Sequence, residues 1–191
     1  MEDKVIFSPG TFTDYISWKL FQERTLFIAE DIYDNTAEGI CGQLEALVVL
    51  SEEPITIIIT SPGGSVFAAL AIYDTITKIR KENKIIIKAE ARGYAASAAA
   101  IILQAADIRS ATLHTRLLIH EVSSFKFLER ERASDAEEDA KELNKVNDMV
   151  ANILAERSNH SLEEIKKLWK KTDVWMSAEE AKEWNLIDSI I

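Results

Sequence analysis

The sequence predicts an α/β fold in which strands are joined by helical crossovers, and three observations carry that prediction. Short β-branched runs, "TLFIA" (Thr25–Ala29), "ITIIIT" (Ile55–Thr60) and "KIIIKAE" (Lys84–Glu90), recur along the first half of the chain. The segments between them place apolar residues at helical spacing. Turn signals sit at the junctions, most visibly the Pro62-Gly63-Gly64 step. A β-α-β-α-β series of this kind is the pattern of a largely parallel sheet with helices packed on it.

Taken in order, "DNTAEGICGQLEALVVLSEE" aligns Ile40, Leu44, Leu47 and Val48 on one helical face. After Gly64 a second helix carries Val66, Leu70, Ile72, Tyr73 and Ile76. "ARGYAASAAAIILQAAD" then reads as a strand end, a glycine turn and an apolar helix. Two short strands follow, near Ile108–Leu113 and at Arg116–Ile119. From Lys126 to about Asn159 the chain is charged and almost free of breakers, with sparse apolar positions at Phe127, Leu128, Leu143, Val146, Met149, Val150, Ile153 and Leu154. A helix of about thirty residues would run roughly 45 Å, so part of it is expected to project and to need a partner subunit along its apolar stripe. "SLEE" at Ser161 and "SAEE" at Ser177 are capping boxes that start two short helices, and "LIDSII" closes the chain as a short strand.

The 191 residues suit a single domain spanning 1–191, large enough to fold without disulfide or metal staples. Cys41 is the only cysteine and is expected as a buried, inert thiol. A formal charge of −10 argues against a nucleic-acid partner, which calls for clustered Lys and Arg. The longest apolar stretch, Tyr94–Ala106, is broken by Ser97 and Gln104 and falls short of a membrane span, and the acidic N-terminus has no signal-peptide core. A reducing, cytoplasmic setting is expected, with no metal and no organic cofactor.

Residues able to carry chemistry are few. Ser97 follows a glycine turn and opens an apolar helix, where neighbouring amides favour a developing negative charge; a serine among alanines is equally a packing residue. Of the three histidines, His120 emerges at the end of the buried run "RLLI", His114 lies between two short strands, and His160 is expected to be solvated before a capping box. Asp173 precedes Val174, Trp175 and Met176, an apolar group expected to draw it partly inward, although it also reads as a loop acid near Lys170 and Lys171. Spacing alone leaves these alternatives open.

Together the motifs resemble the ClpP family of self-compartmentalised serine peptidases, over nearly the whole chain. "DYISWKLFQERTLFIAEDIYD" is similar to the family's N-terminal segment, in which an E-R pair leads into the first strand. "ITSPGGSVFAALAIYDTI" is similar to its S-P-G-G…A-x-x-I-Y-D-T signature, "GYAASAAAIILQAA" to its nucleophile motif, "LLIH" to its histidine strand, and "DVWMSAEEAKEWNLID" to its closing motif. The resemblance implies a ClpP/crotonase-like fold with a projecting handle helix, Ser97 as nucleophile, His120 as general base and acid, and Asp173 as the residue that orients His120. It implies oxyanion donation by the Gly64 and Ala98 amides and strand-like pairing of a peptide with Ser65, Val66 and Phe67. Gly63 and Gly64 are expected because a Cβ would crowd the substrate carbonyl, so a bulky residue at Gly64 is expected to slow chemistry more than it unfolds the chain.

The resemblance further implies an unfolded polypeptide or peptide substrate, a homo-oligomer of two stacked heptameric rings, and a separate AAA+ unfoldase, since the chain carries no G-x-x-x-x-G-K-[ST] loop of its own. Three departures point to a divergent or phage-encoded relative. Ala98 replaces the family's usual methionine, no Gln-Pro or glycine-rich strand follows His120, and "TKIRKENK" lengthens the loop between Gly64 and Ser97. Two rival readings are an inactive or partner-activated scaffold subunit and a crotonase-fold acyl-CoA enzyme. A Ser/Lys signal-peptide peptidase is disfavoured by the lack of an anchor.

Overall fold

The computed structural model describes residues 10–123 and 133–191, with side chains described from residue 137 in the second segment. Helix α1 (Phe12–Gln22) begins at a Thr11–Asp14 capping box and leads through Arg24 into β1 (Thr25–Ile28). Arg24 ties this junction down, its guanidinium donating to the carbonyls of Leu47 (2.8 Å), Ser51 (3.1 Å) and Glu53 (3.0 Å). Helix α2 (Asp34–Leu50) then crosses to β2 (Ile55–Ser61) and buries Ile40, Leu44 and Leu47, as the periodicity predicts.

Helix α3 (Val66–Lys78) returns the chain through a π-helical turn at Ile79–Asn83 to β3 (Ile87–Ala96). Strand β3 begins later than the sequence suggests and extends much further. Gly93 does not end it: with φ +72° it sits in a bulge, where Arg92, Gly93 and Tyr94 oppose the single residue Thr60 of β2. The bulge divides β3 into two pairing surfaces. Its first half pairs with β4 (Ile108–Ala111) and its second half with β5 (Arg116–Ile119), both parallel.

The long helix α5 is described over Ala133–Arg157, 25 residues or about 37 Å. The expected start near Lys126, with Phe127 and Leu128, lies outside the described residues. Its last three turns bury Val146, Val150, Ala151, Ile153 and Leu154 in the core, whereas residues 137–142 are all exposed. Helix α6 (Leu162–Trp169), strand β6 (Val174–Ser177), helix α7 (Ala178–Glu183) and strand β7 (Ser189–Ile190) complete the chain, and both predicted capping boxes are formed, Ser161 with Glu164 and Ser177 with Glu180.

The seven-stranded sheet runs β1-β2-β3-β4-β7, with β5 branching from β3 and β6 antiparallel on β5. All other pairings are parallel. Parallel strands covered on both faces need near-continuous apolar runs, and in β2 every residue except Thr56 and Thr60 is buried. Arg109, 3% exposed, locks the far side by donating to Gln104, to Asp188 and to the Arg157 carbonyl.

Cys41 departs from expectation in being half-buried, its Sγ accepting from the Thr75 hydroxyl at 3.3 Å. His160 is likewise half-buried, packed against Trp184 with ring centroids 4.2 Å apart and planes tilted by 50°. Among the described residues no helix is long and apolar enough to cross a membrane.

Candidate active site

The site forms where three strand ends meet. Strand β3 stops at Ala96 and α4 (Ala98–Gln104) starts one residue later, so the direction change falls on Ser97 alone. Ser97 accordingly has φ 55° and ψ −122°, a conformation that favours glycine at the first central position of a II′ turn. The turn is held by two backbone bonds, Ser97 N–H to the Leu118 carbonyl (2.9 Å) and Ala100 N–H to the Ser97 carbonyl (3.0 Å). A non-glycine residue in such a region stores strain of order 1–3 kcal/mol. Here that strain presents a half-buried hydroxyl at the tip of a sharp strand-to-helix turn.

Because β5 runs parallel to the end of β3, its own end delivers His120 to the same place. His120 Nε2 lies 2.6 Å from Ser97 Oγ. His114 is exposed and His160 packs against Trp184, so of the three histidines only His120 is hydrogen-bonded to the serine.

Asp173 reaches the site by the antiparallel β5–β6 pairing. Ile119 pairs with Val174, and the next step of that register sets Asp173 opposite His120. The expected inward pull does not occur. Asp173 is exposed, only Met176 of the following apolar group is buried, and no hydrogen bond joins Asp173 to His120. The physical reason is β6's position: a short strand paired on one side keeps alternate residues such as Trp175, 47% exposed, on an open face.

The Gly-Gly turn is strapped to the segment after β1. Ile32 N–H donates to the Gly63 carbonyl (2.8 Å), Ser65 N–H to the Ile32 carbonyl (2.7 Å), and the Ser61 hydroxyl bridges Glu30 and Gly63. The Gly64 and Ala98 N–H groups make no bond within this strapping. The fold itself requires both glycines. A Cβ on Gly63 (φ +95°) would lie 2.6 Å from the Ala96 carbonyl oxygen and 2.9 Å from Ala98 N. One on Gly64 (φ +149°) would lie 2.3 Å from the Ile32 carbonyl oxygen. Both side chains would strike the protein's own backbone, so the two glycines allow the turn to nest between Ile32 and the serine turn.

The segment expected to pair with a peptide, Ser65–Phe67, stands at a helix start. Val66 and Phe67 form the first turn of α3, Ser65 is its N-cap with Oγ accepting from Ala68 N–H (3.3 Å), and the Ser65 carbonyl already accepts from Ala69 N–H. A helix start leaves first-turn amides without intrahelical acceptors. The Val66 side chain instead lines a small apolar cavity beside Ser97 and His120.

Further contributors from α5 and α6 were not foreseen as site residues. Val150 and Leu154 of α5 and Trp169 of α6 line that cavity, and the spacing of Leu162, Ile165 and Trp169 on one helical face was the available signal for the last. Asn147, 6% exposed on α5, accepts from Val122 N–H at 3.1 Å and so fastens the segment following His120 to the helix. No group of residues suited to holding a metal occurs among the described residues.

A serine on a strained strand-to-helix turn, hydrogen-bonded to a strand-end histidine beside an apolar cavity, is the equipment of a serine hydrolase. The Clp protease family profile matches residues 10–191. The chain is 37% identical over 174 residues to the ATP-dependent Clp protease proteolytic subunit 3 of Rhizobium etli, covering 90% of this chain and 86% of the relative. It is 39% identical over 178 residues to the subunit of that name from a Synechococcus strain, covering 91% and 84%. In structure it is similar to a point mutant of ClpP1 from Listeria monocytogenes, with a TM-score of 0.80, 32% identity and coverage of 92% of this chain and 95% of that one. The chain belongs to the Clp protease family, and with it to the serine-type endopeptidases.

Proposed function

We propose that the chain hydrolyses peptide bonds of unfolded polypeptides through an acyl-enzyme on Ser97, with His120 as general base and then general acid. The observation that carries this reading is the 2.6 Å contact between Ser97 Oγ and His120 Nε2. In the reaction Oγ attacks the carbonyl carbon as Nε2 takes its proton. The proton passes to the leaving amine, and water then releases the acyl group with His120 again as base. The Gly64 and Ala98 amides are the proposed oxyanion donors; losing one donor of this kind typically costs about 2.7–4 kcal/mol in the transition state. Asp173, one register step beyond Val174, is the proposed orienting carboxylate.

A second reading is favoured by one observation: Asp173 stands opposite His120 without bonding to it. Full alignment then waits on a partner, either a second copy of the chain or an unfoldase. The proposed assembly is a homo-oligomer of two stacked rings interlocked by α5, whose exposed residues 137–142 contribute to the contact, in a cytoplasmic setting and served by an AAA+ partner. The test is release of fluorescence from a labelled unfolded protein by the natural chain, alone and with a cognate unfoldase, against His120→Ala. Hydrolysis abolished by His120→Ala supports the reading; equal hydrolysis by both contradicts it.

A further inference from the structure

The cavity beside Ser97 is apolar and small. Val66, Ile101, Ile119, Val150, Leu154 and Trp169 line it together with Ser97 and His120. Among the described residues no carboxylate, lysine or arginine lines it. A charged side chain entering it would lose water without gaining a partner, so the site selects apolar groups. Its volume is about 50 Å³. That is roughly a third of the ~150 Å³ of an engineered apolar cavity that accommodates benzene, which leaves room for a methyl or isopropyl group and too little for an aromatic ring.

Trp169 is the largest of these wall residues and is 1% exposed. It ends α6, whose other inward residue, Ile165, is fully buried, and the turn after it is fixed by Thr172 N–H donating to the Trp169 carbonyl at 3.0 Å. The indole therefore has no open direction into which to withdraw. The other walls are shorter aliphatic side chains on α3, α4, β5 and α5, packed into the same core.

We propose that Trp169 is a specificity-determining residue: it limits the depth of the pocket so that the residue on the acyl side of the scissile bond is of alanine or valine size, in preference to leucine or phenylalanine. The proposal rests on the reading of Ser97 as nucleophile, because only then does this cavity hold the side chain next to the attacked carbonyl. A difference of one or a few methylenes in an apolar pocket discriminates by about 10–200-fold.

The test has two arms on the full chain. In the first, kcat/KM is measured for fluorogenic peptides differing only in Ala, Val, Leu or Phe before the cleaved bond, for the natural chain and for Trp169→Leu. The natural chain is expected to favour Ala or Val over Phe by at least tenfold, and Trp169→Leu to narrow or invert that ratio by a similar factor. In the second arm, calorimetry on Ser97→Ala compares product-like peptides ending in Ala, Val or Phe, which reads the pocket without catalysis. Tighter binding of the Ala or Val peptide is expected, even if Trp169→Leu does not fold. Preference for Phe, indifference among the peptides, or binding of none overturns the proposal. Discrimination in the binding arm together with hydrolysis retained by Ser97→Ala would contradict the nucleophile role of Ser97 while leaving the pocket's size limit standing.

Discussion

Replacing Ser97 by Gly and, separately, by Ala measures the strain on which the active-site turn depends. Both substitutions remove Oγ and with it the bond to His120, so that loss cancels in the comparison. They differ in the Cβ, which Ala must hold at φ 55° and ψ −122°. At an unstrained position glycine is the less stable of the two by about 0.4–1 kcal/mol, through the entropy of its unfolded chain. A non-glycine residue in a sparsely populated region costs about 1–3 kcal/mol. The balance leaves Ser97→Gly more stable than Ser97→Ala by roughly 1 kcal/mol, or about 2–4 °C in Tm for a chain of this size. Thermal unfolding of both variants at matched subunit concentration and matched oligomer size reads the difference. An Ala variant that melts at or above the Gly variant would refute the claim that the turn is strained.

Gly63→Ala and Gly64→Ala should both lower stability sharply, by several kcal/mol from positive φ and forced overlap together, and the check is loss of cooperative unfolding by circular dichroism rather than activity alone. Asn147→Ala removes the acceptor of the Val122 N–H and should cost about 1–3 kcal/mol in denaturant unfolding; its activity should fall more than that of Asn144→Ala, an exposed control on the same helix. Asp188 has its carboxyl held below the ordinary range: burial pushes it up, but hydrogen bonds and charge from Arg109 outweigh burial. The depressed value means that its stabilisation is complete above the unfolded-state carboxylate range and is lost as pH falls through the folded value. Asp188→Asn should therefore be destabilising at neutral pH and converge with the natural chain in acid, read by urea titrations at both pH values.

The sequence displayed those parts of the fold whose signal is periodic. β2 and α2 are buried on predictable faces, and both C-terminal capping boxes form where Ser161 and Ser177 stand. Helix α1 buries no residue, its apolar side chains such as Phe12, Tyr15 and Ile16 lying exposed, and its Thr11–Asp14 box marks its start. Gly93 was misleading, since a glycine that ends a strand and one that sits in a bulge look alike until the partner strand's register is known. Ser97 and His120 were legible from their motifs, but their contact depends on β3 being long enough to pair with β5, a non-local fact. The exposure of Asp173 was not legible either, because it follows from β6 pairing on one side only.

The measurement that tests the account most directly is intact mass and assembly size after treatment with a serine-directed fluorophosphonate, for the natural chain, Ser97→Ala and His120→Ala. One adduct per subunit is expected on the natural chain, mapped to Ser97, with none on Ser97→Ala and a strongly slowed reaction on His120→Ala. Equal labelling of the natural chain and Ser97→Ala, or labelling indifferent to His120, would contradict the assignment of Ser97 and His120 as the reacting pair.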